Sequence, residues 1–236
     1  MQLTPDALAL GLVWFVIFLF STTVHEAAHA LVALRLGDST AYRGGQVTLN
    51  PIPHIQREPM GTIGVPIVTY LLSGWMMGWA SAPYDPWWAD RYPRRAAWMA
   101  LAGPVSNLLL FVSSALMIRL GMLVGLFEPP QEAYFSQVTA ALQSGVPEAL
   151  ATCLSILFSL NLLLFAFNLL PLPPLDGSGV LPLVMKETVA VRYQELMRQP
   201  TWSLLGIVLA WYMFRSVYGP LHLIALNLLY PEVGYH

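Results

Sequence analysis

Apolar residues in this chain form long, almost unbroken runs instead of the narrow apolar stripe of a helix at the surface of a soluble protein. Residues 7–36, 96–120 and 149–170 are three such runs, and each is long enough as a helix to cross a hydrocarbon core of about 30 Å. A fourth run, residues 202–230, contains Pro220 and fits either one kinked span or two half-segments. The pattern predicts an all-α polytopic membrane protein with about four to six membrane segments.

The stretch between the first two runs contains many glycines and prolines. Residues 39–60 combine alternating β-formers with Gly and Pro, which predicts a short hairpin or extended loop, not a helix. Residues 61–80 are apolar, but their glycines and proline weaken a spanning helix. If this segment does not cross, the basic residues at 35–57, 91–95 and 186–198 share one side of the membrane, as the positive-inside rule favours. We therefore expect a small in-membrane β-like or re-entrant element, covered by protein or by a water-filled cavity.

Composition supports a membrane protein and argues against several other classes. Hydrophobic residues make up 56% of the 236 residues and charged residues only 10%, whereas soluble domains carry about 25% charged residues. The net charge of −2 and the lack of a basic run give no support for nucleic-acid binding. Cys153 is the single cysteine, so there is no disulfide framework and no thiolate metal cluster. Residues 1–6 lack the basic residues of a signal peptide, so we expect the first run to be retained. We expect one domain over residues 1–236, with its core at 7–186 and a C-terminal membrane segment at 202–230.

The first apolar run carries the chemistry. His25, Glu26 and His29 are the only ionisable residues between positions 7 and 34, and charged or titratable groups within a membrane-length helix mark a functional site by default. One helical turn separates His25 from His29, so both imidazoles project from the same face and can reach one Zn²⁺. Glu26 between them is the expected general base for a zinc-bound water. A chance match on a soluble amphipathic helix is the plain alternative, and a second motif argues against it.

That second motif supplies a candidate third ligand, since a catalytic zinc usually has three protein ligands and one exchangeable water. Asp38 lies in the loop that adjoins the first run, whereas Asp176 follows the third run directly and is held in a proline-rich turn. Asp176 is the better candidate, although an ordinary helix N-cap is its plain alternative role. If residues 61–80 do not cross, His29 and Asp176 lie at the same membrane face. The distribution of basic residues and the need for His29 and Asp176 to meet therefore favour the same topology, in which residues 61–80 do not cross the membrane.

Four motifs together resemble the site-2 protease family of intramembrane zinc metalloproteases, in a short bacterial form without a PDZ or CBS domain. Two of them match the HExxH and N-x-x-P-x-P-x-x-D-G motifs of that family, in the order in which the family has them. The four are His25-Glu26-Ala27-Ala28-His29, Asn50-Pro51-Ile52-Pro53-His54, Ala102-Gly103-Pro104-Val105-Ser106-Asn107 and Asn168-Leu169-Leu170-Pro171-Leu172-Pro173-Pro174-Leu175-Asp176-Gly177.

The resemblance implies a role for each matching residue. His25, His29 and Asp176 would bind one Zn²⁺ per chain, and Glu26 would be the catalytic base. The segment around residues 50–80 would be the in-membrane β-like or re-entrant element near the substrate. Three further residues would contact the substrate or line the cleft: Asn168, Asn107 and His54. The plain alternatives are an interhelical hydrogen bond for a buried asparagine and a membrane-interface position for His54.

The predicted function is hydrolysis of peptide bonds within or next to the transmembrane segments of membrane-protein substrates. The protein would lie in the lipid bilayer of the bacterial cytoplasmic membrane with its active site toward the cytoplasm. Its partners would be transmembrane substrates and not nucleic acid, and a homo-oligomer is left open. The alternative is a membrane metal-binding or transport protein that uses the same ligands and needs no base at Glu26. A catalytically silent scaffold is a third reading, which the intact motifs argue against.

Overall fold

The computed structural model of the protein describes residues 4–236, the side chain of Arg215 excepted. Apart from one two-stranded sheet, its described regular elements are helices. In chain order the helices are α1 (Pro5–Arg35), α2 (Thr40–Arg43), α3 (Pro51–Arg57), α4 (Val65–Ser73), α5 (Pro86–Arg91), α6 (Pro93–Leu123), α7 (Val146–Asn168), α8 (Asp176–Val180), α9 (Glu187–Met197) and α10 (Pro200–Leu229). A π-helical turn, Met60–Gly64, precedes α4, and a 3₁₀ turn, Leu181–Val184, follows α8.

Three helices, α1, α6 and α7, are long and apolar enough to cross a membrane. The two halves of α10, Pro200–Phe214 and Ser216–Leu229, meet at an angle of 49° and count as a fourth span if they are taken together. The bend lies about one turn before Pro220. Proline has no amide hydrogen to donate and its ring crowds the carbonyl of the preceding turn, so the helix bends there. The predicted all-α polytopic class is therefore confirmed, with three to four candidate spans among residues 4–236.

Helix α6 packs against both α1 and α7 and forms the centre of the bundle. The C-terminal end of α1 lies beside the N-terminal end of α6, because the Leu36 carbonyl accepts hydrogen bonds from Trp88 Nε1 at 3.3 Å and from Arg95 Nη1 at 3.1 Å. We call this end of the bundle the motif end. At the opposite end, β1 (Phe127–Glu128) pairs antiparallel with β2 (Ala140–Ala141).

The predicted hairpin or extended loop at residues 39–60 is wrong, since this stretch contains α2 and α3. The Asn50 side chain accepts a hydrogen bond from the Ile52 amide at 3.0 Å, and Pro51 occupies the first helical position of α3. An asparagine N-cap followed by proline is a helix-start signal, and it outweighs the β-formers before it. The small sheet of the structure lies instead at the opposite end of the bundle.

Residues 60–85 fold back on themselves, in agreement with the re-entrant alternative. After α4, Gly74 adopts a left-handed conformation with φ of 73°, and the chain then returns without regular secondary structure to the level of Gly61. The Trp79 amide donates to the Gly61 carbonyl at 3.0 Å, and Ser81 Oγ donates to Glu58 Oε1 at 2.7 Å. Both ends of the segment are therefore at the motif end.

Candidate metal centre

His25 and His29 lie on the buried face of α1, one turn apart, and both face α6. The Nδ1 of His29 lies 2.7 Å from the backbone carbonyl of Met99. A carbonyl can only accept, so this nitrogen carries the proton and Nε2 keeps its lone pair. The two Nε2 atoms lie 3.0 Å apart. Both imidazoles thus direct the same ring atom toward one point.

His25 is oriented by a side chain of α6. Its Nδ1 donates to Asn107 Oδ1 at 2.5 Å, which leaves the Nε2 lone pair of His25 facing His29. One turn before Asn107 lies Gly103, where a Cβ would overlap the Nε2 atoms of both histidines. The absence of a side chain at this position lets α6 approach the histidine pair closely.

Asp176 reaches the histidine pair from the turn after α7. It is the first residue of α8, whose N-cap is Leu175, and its carboxylate points to the histidines. Asp176 Oδ2 lies 3.0 Å from His25 Nε2 and Asp176 Oδ1 lies 3.3 Å from His29 Nε2. The N-cap alternative for Asp176 is therefore not realised.

These three residues have the chemistry and the spacing of a zinc site. Their ligand atoms all lie within 4.8 Å of one another. Ligands about 2.0 Å from a tetrahedral zinc are about 3.3 Å apart, close to the 3.0 and 3.3 Å separations seen here. Two imidazole lone pairs and a carboxylate converge with no proton between them, because both histidine protons are engaged elsewhere. A cation satisfies such a cluster, and two nitrogens with one oxygen suit Zn²⁺.

A cavity of about 370 Å³ opens beside this cluster. Its walls combine Glu26 and His29 of α1 with residues 80–82, the proline-rich turn and α9. The polar and charged groups on the walls include Glu26, His29, Ser81, Tyr84, Asp176, Ser178, Tyr193, Gln194 and Arg198. Glu26 therefore lies in the chamber into which the candidate ligands face.

The three further residues predicted at the cleft occupy different positions. Asn107 is fully buried and bonded to His25. His54, which is 2% exposed, donates from Nε2 to the Thr48 carbonyl at 3.1 Å, and its Nδ1 has no hydrogen-bond partner among residues 4–236. Asn168 is half-buried at the last position of α7. None of the three lies on the walls of the cavity within the described part of the chain, and their roles toward a substrate stay predictions.

Several residues of the site were not identified from the sequence. The Met99 carbonyl is a backbone group and carries no sequence signal. Tyr193 lines the cavity and donates to the Ser178 carbonyl at 3.0 Å, and Arg198, which also lines it, forms a two-bond ion pair with Asp90 at 2.8 and 3.0 Å. These residues belong to polar segments that look like ordinary connections. Asn161 carried a weak signal, since it is an amide inside an apolar run.

Comparison with known proteins shows that most of this chain is similar to one peptidase family and to several bacterial proteins. The chain matches the model of Peptidase family M50 over residues 13–213. "Putative zinc metalloprotease YwhC" of Bacillus subtilis (strain 168) is 39% identical over 163 residues, which are 68% of this chain and 64% of that protein. "Putative zinc metalloprotease Rip2" of Mycolicibacterium smegmatis is 30% identical over 70% of this chain and 54% of that protein.

A protein with the same name, Rip2, from Mycobacterium tuberculosis is 31% identical over 70% of this chain. The chain thus spans 64% of the length of the first relative and 54% of the others. No solved structure gives a significant match.

Proposed function

Because the chain belongs to peptidase family M50, we propose that it is a zinc metalloprotease that hydrolyses peptide bonds within or next to the transmembrane segments of other membrane proteins. The main support is the convergence of His25, His29 and Asp176 on one point beside the cavity that Glu26 lines. Zn²⁺ bound by these residues would polarise the scissile carbonyl and lower the pKa of water to about 7.

Glu26 is the general base of the proposed reaction. It follows the first ligand directly in sequence, and it lines the cavity together with His29 and Asp176. It takes the proton of the attacking water and returns that proton to the leaving amine. The histidines cannot take this role, because with their protons on Nδ1 their only lone pairs are on Nε2, and those would bind the metal. Their task is to hold the ion.

The substrate must enter the cavity in an extended conformation, because a helix hides its carbonyls in hydrogen bonds to the residue four positions on. Residues 80–82 lie outside the helices and strands and form part of the cavity wall. Gln46 Nε2 donates to the Ser81 carbonyl at 3.3 Å and holds this wall in place. An unwound substrate segment can pair with such an edge by β-addition. Asn168, at the end of α7, is our candidate for a residue that positions the unwound segment.

The active site faces the cytoplasm in this proposal. The basic residues concentrate in segments at the motif end, whereas Arg119 lies near the opposite end, where it donates to the Leu229 carbonyl at 3.1 Å. By the positive-inside rule, the motif end is cytoplasmic. The basic residues of these segments are Arg35, Arg43, Arg57, Arg91, Arg94, Arg95, Lys186, Arg192 and Arg198.

The test is cleavage of a transmembrane peptide by the purified full chain in detergent, with bound zinc measured in the same samples. Glu26→Gln removes the base but no ligand, so it should keep about one zinc per chain and lose roughly 100-fold to 10,000-fold in rate. Glu148→Gln makes the same chemical change at an exposed position at the N-terminal end of α7, and it should retain both zinc and activity.

Equal cleavage by the native chain and by Glu26→Gln would refute the assignment of the base. A different outcome would favour a metal carrier over a protease. In that case both proteins would hold zinc, neither would cleave the peptide, and the native chain would carry zinc across the membrane of loaded liposomes. A native chain that holds no zinc would refute the proposed site itself.

A further inference from the structure

A line of buried polar side chains runs from His25 through α6 to the middle of α7. Asn107 Nδ2 lies 2.8 Å from Asn161 Oδ1, and Asn161 Nδ2 lies 2.9 Å from Ser21 Oγ. Asn161 Nδ2 also lies 2.8 Å from the Leu157 carbonyl. Asn107, Asn161 and Ser21 are each 0% exposed. In an apolar bundle, groups buried this deeply must satisfy their hydrogen bonds with one another.

The direction of every hydrogen bond in this line follows from one backbone group. The Leu157 carbonyl can only accept, so the Asn161 atom that faces it is the amide nitrogen. The oxygen of Asn161 must then face Asn107 and accept from its amide nitrogen. The oxygen of Asn107 is thereby turned toward His25, which has to donate from Nδ1. With the proton on Nδ1, the lone pair of His25 is on Nε2, the atom that faces His29 and Asp176.

We propose that Asn161 is a positioning residue for the metal centre, and that it acts through Asn107 to keep the imidazole of His25 in the tautomer that can bind zinc. The inference rests on the zinc site proposed above. An unassisted Asn107 has two orientations, because its amide oxygen and nitrogen differ little in shape. In the wrong orientation the nitrogen faces His25, the proton of the imidazole moves to Nε2, and the ligand lone pair is lost. Asn161 makes that orientation unfavourable, since the oxygen of Asn107 would then face the oxygen of Asn161 and neither could donate.

The arrangement explains why two amides, and not one, are buried between three apolar helices. His29 needs no such device, since the Met99 carbonyl at 2.7 Å sets its tautomer directly. At His25 the nearest group is a side chain that can be reversed. The Leu157 carbonyl fixes the orientation of Asn161, and Asn161 in turn fixes the orientation of Asn107. Groups that orient metal ligands in this way typically contribute 10-fold to 100-fold to metal affinity.

The experiment is a double-mutant cycle read out as zinc affinity, measured by competition with a chromogenic chelator on the full chain in detergent. Asn161→Leu, which has nearly the same volume, should weaken zinc binding about tenfold. In the Asn107→Asp background the same change should not weaken binding, because a carboxylate presents an acceptor to His25 in either orientation. Asn227→Leu is the matched control at the opposite end of the bundle, where Asn227 Nδ2 donates to the Tyr235 carbonyl at 3.0 Å, and it should leave zinc affinity unchanged.

An equal loss in both backgrounds would show that Asn161 acts through packing, and no loss in the native background would show that it does not act on the site; either result overturns the proposal. If Asn161→Leu does not fold, nuclear magnetic resonance of the native chain labelled only at histidine decides the question. The proposal requires the proton of His25 on Nδ1, and a proton on Nε2 refutes it. This readout is independent of proteolysis, so a native chain that shows the expected tautomer but cleaves nothing refutes the proposed function alone.

Discussion

The carboxylate groups of Asp38 and Asp176 show how burial and bonding separate two candidate ligands. Asp38 Oδ1 accepts from the Thr40 amide at 2.8 Å and from Thr40 Oγ1 at 2.6 Å, and its Oδ2 accepts from the Asp85 amide at 2.8 Å. Its oxygens are therefore engaged in holding the loop after α1. The oxygens of Asp176 face the two imidazoles instead. The same side chain is a structural acceptor in one place and a candidate ligand in the other.

Replacing Asp176 by asparagine should remove zinc binding, because the neutral amide is a poor ligand and cannot balance the charge of the ion. The zinc content of the purified variant, measured by metal analysis, should fall from about one zinc per chain to well below that. Asp38→Asn is the matched control: it should keep its zinc and instead lower the melting temperature, since a buried acceptor is lost. Retention of a full zinc complement by Asp176→Asn would remove Asp176 from the ligand set.

Among the elements, the doubled-back segment of residues 60–85 depends on two glycines that face each other. A Cβ at Gly61 would overlap the Trp79 carbonyl, and a Cβ at Gly78 would overlap the Gly61 carbonyl. The two passes of the chain are thus in backbone contact, which also permits the hydrogen bond from the Trp79 amide. Since the second pass continues into residues 80–82, this contact sets the distance of the cavity wall from Glu26.

Gly78→Ala should displace this wall and weaken cleavage without loss of zinc. We expect a higher KM with a small change in kcat, because the altered residue lies in the proposed substrate-binding wall and not among the ligands. Gly64→Ala is the matched control, since its Cβ would meet only the flexible end of Met60 at 3.2 Å. Unchanged cleavage kinetics in Gly78→Ala would show that the wall does not position the substrate.

For the whole molecule, the arrangement of α1, α6 and α7 brings residues from distant parts of the chain to one end. His25 contacts Asn107 across 82 positions and Asp176 across 151 positions. This works because the segment between α1 and α6 turns back, so that the C-terminal ends of α1 and α7 lie together. The topology of residues 60–85 is therefore a condition for the proposed site, and it also determines on which side of the membrane the site opens.

Labelling with a membrane-impermeant maleimide tests this topology in intact bacterial cells. Cys153 is first replaced by serine, and single cysteines are then introduced at exposed Thr188, near the start of α9, or at exposed Ser144, just before α7. Ser144→Cys should be labelled in intact cells, whereas Thr188→Cys should be labelled only after the membrane is opened. The reverse pattern would place the active site outside the cytoplasm, and labelling of both in intact cells would contradict the topology.

Several features of this protein are determined by short stretches of sequence alone. The apolar runs predict α1, α6 and α7 to within about three residues at each end, because crossing a hydrocarbon layer requires a continuous apolar helix. The spacing of His25 and His29 predicts that they share a face, because helical periodicity is a local property. The helices at residues 39–60 are not predicted, although the Asn50-Pro51 start signal is present, because the β-formers before it favour an extended chain.

Tertiary structure alone decides what depends on contacts between distant segments. It sets the distances between Asp176 and the two histidines, and it places Asn107 behind His25 and away from the cavity wall. It also determines which groups orient the histidines. The Met99 carbonyl faces His29 directly, and the Leu157 carbonyl orients Asn161. The physical reason is that residue type and spacing specify which groups a helix can present. Which partner each group meets is determined only when the helices pack.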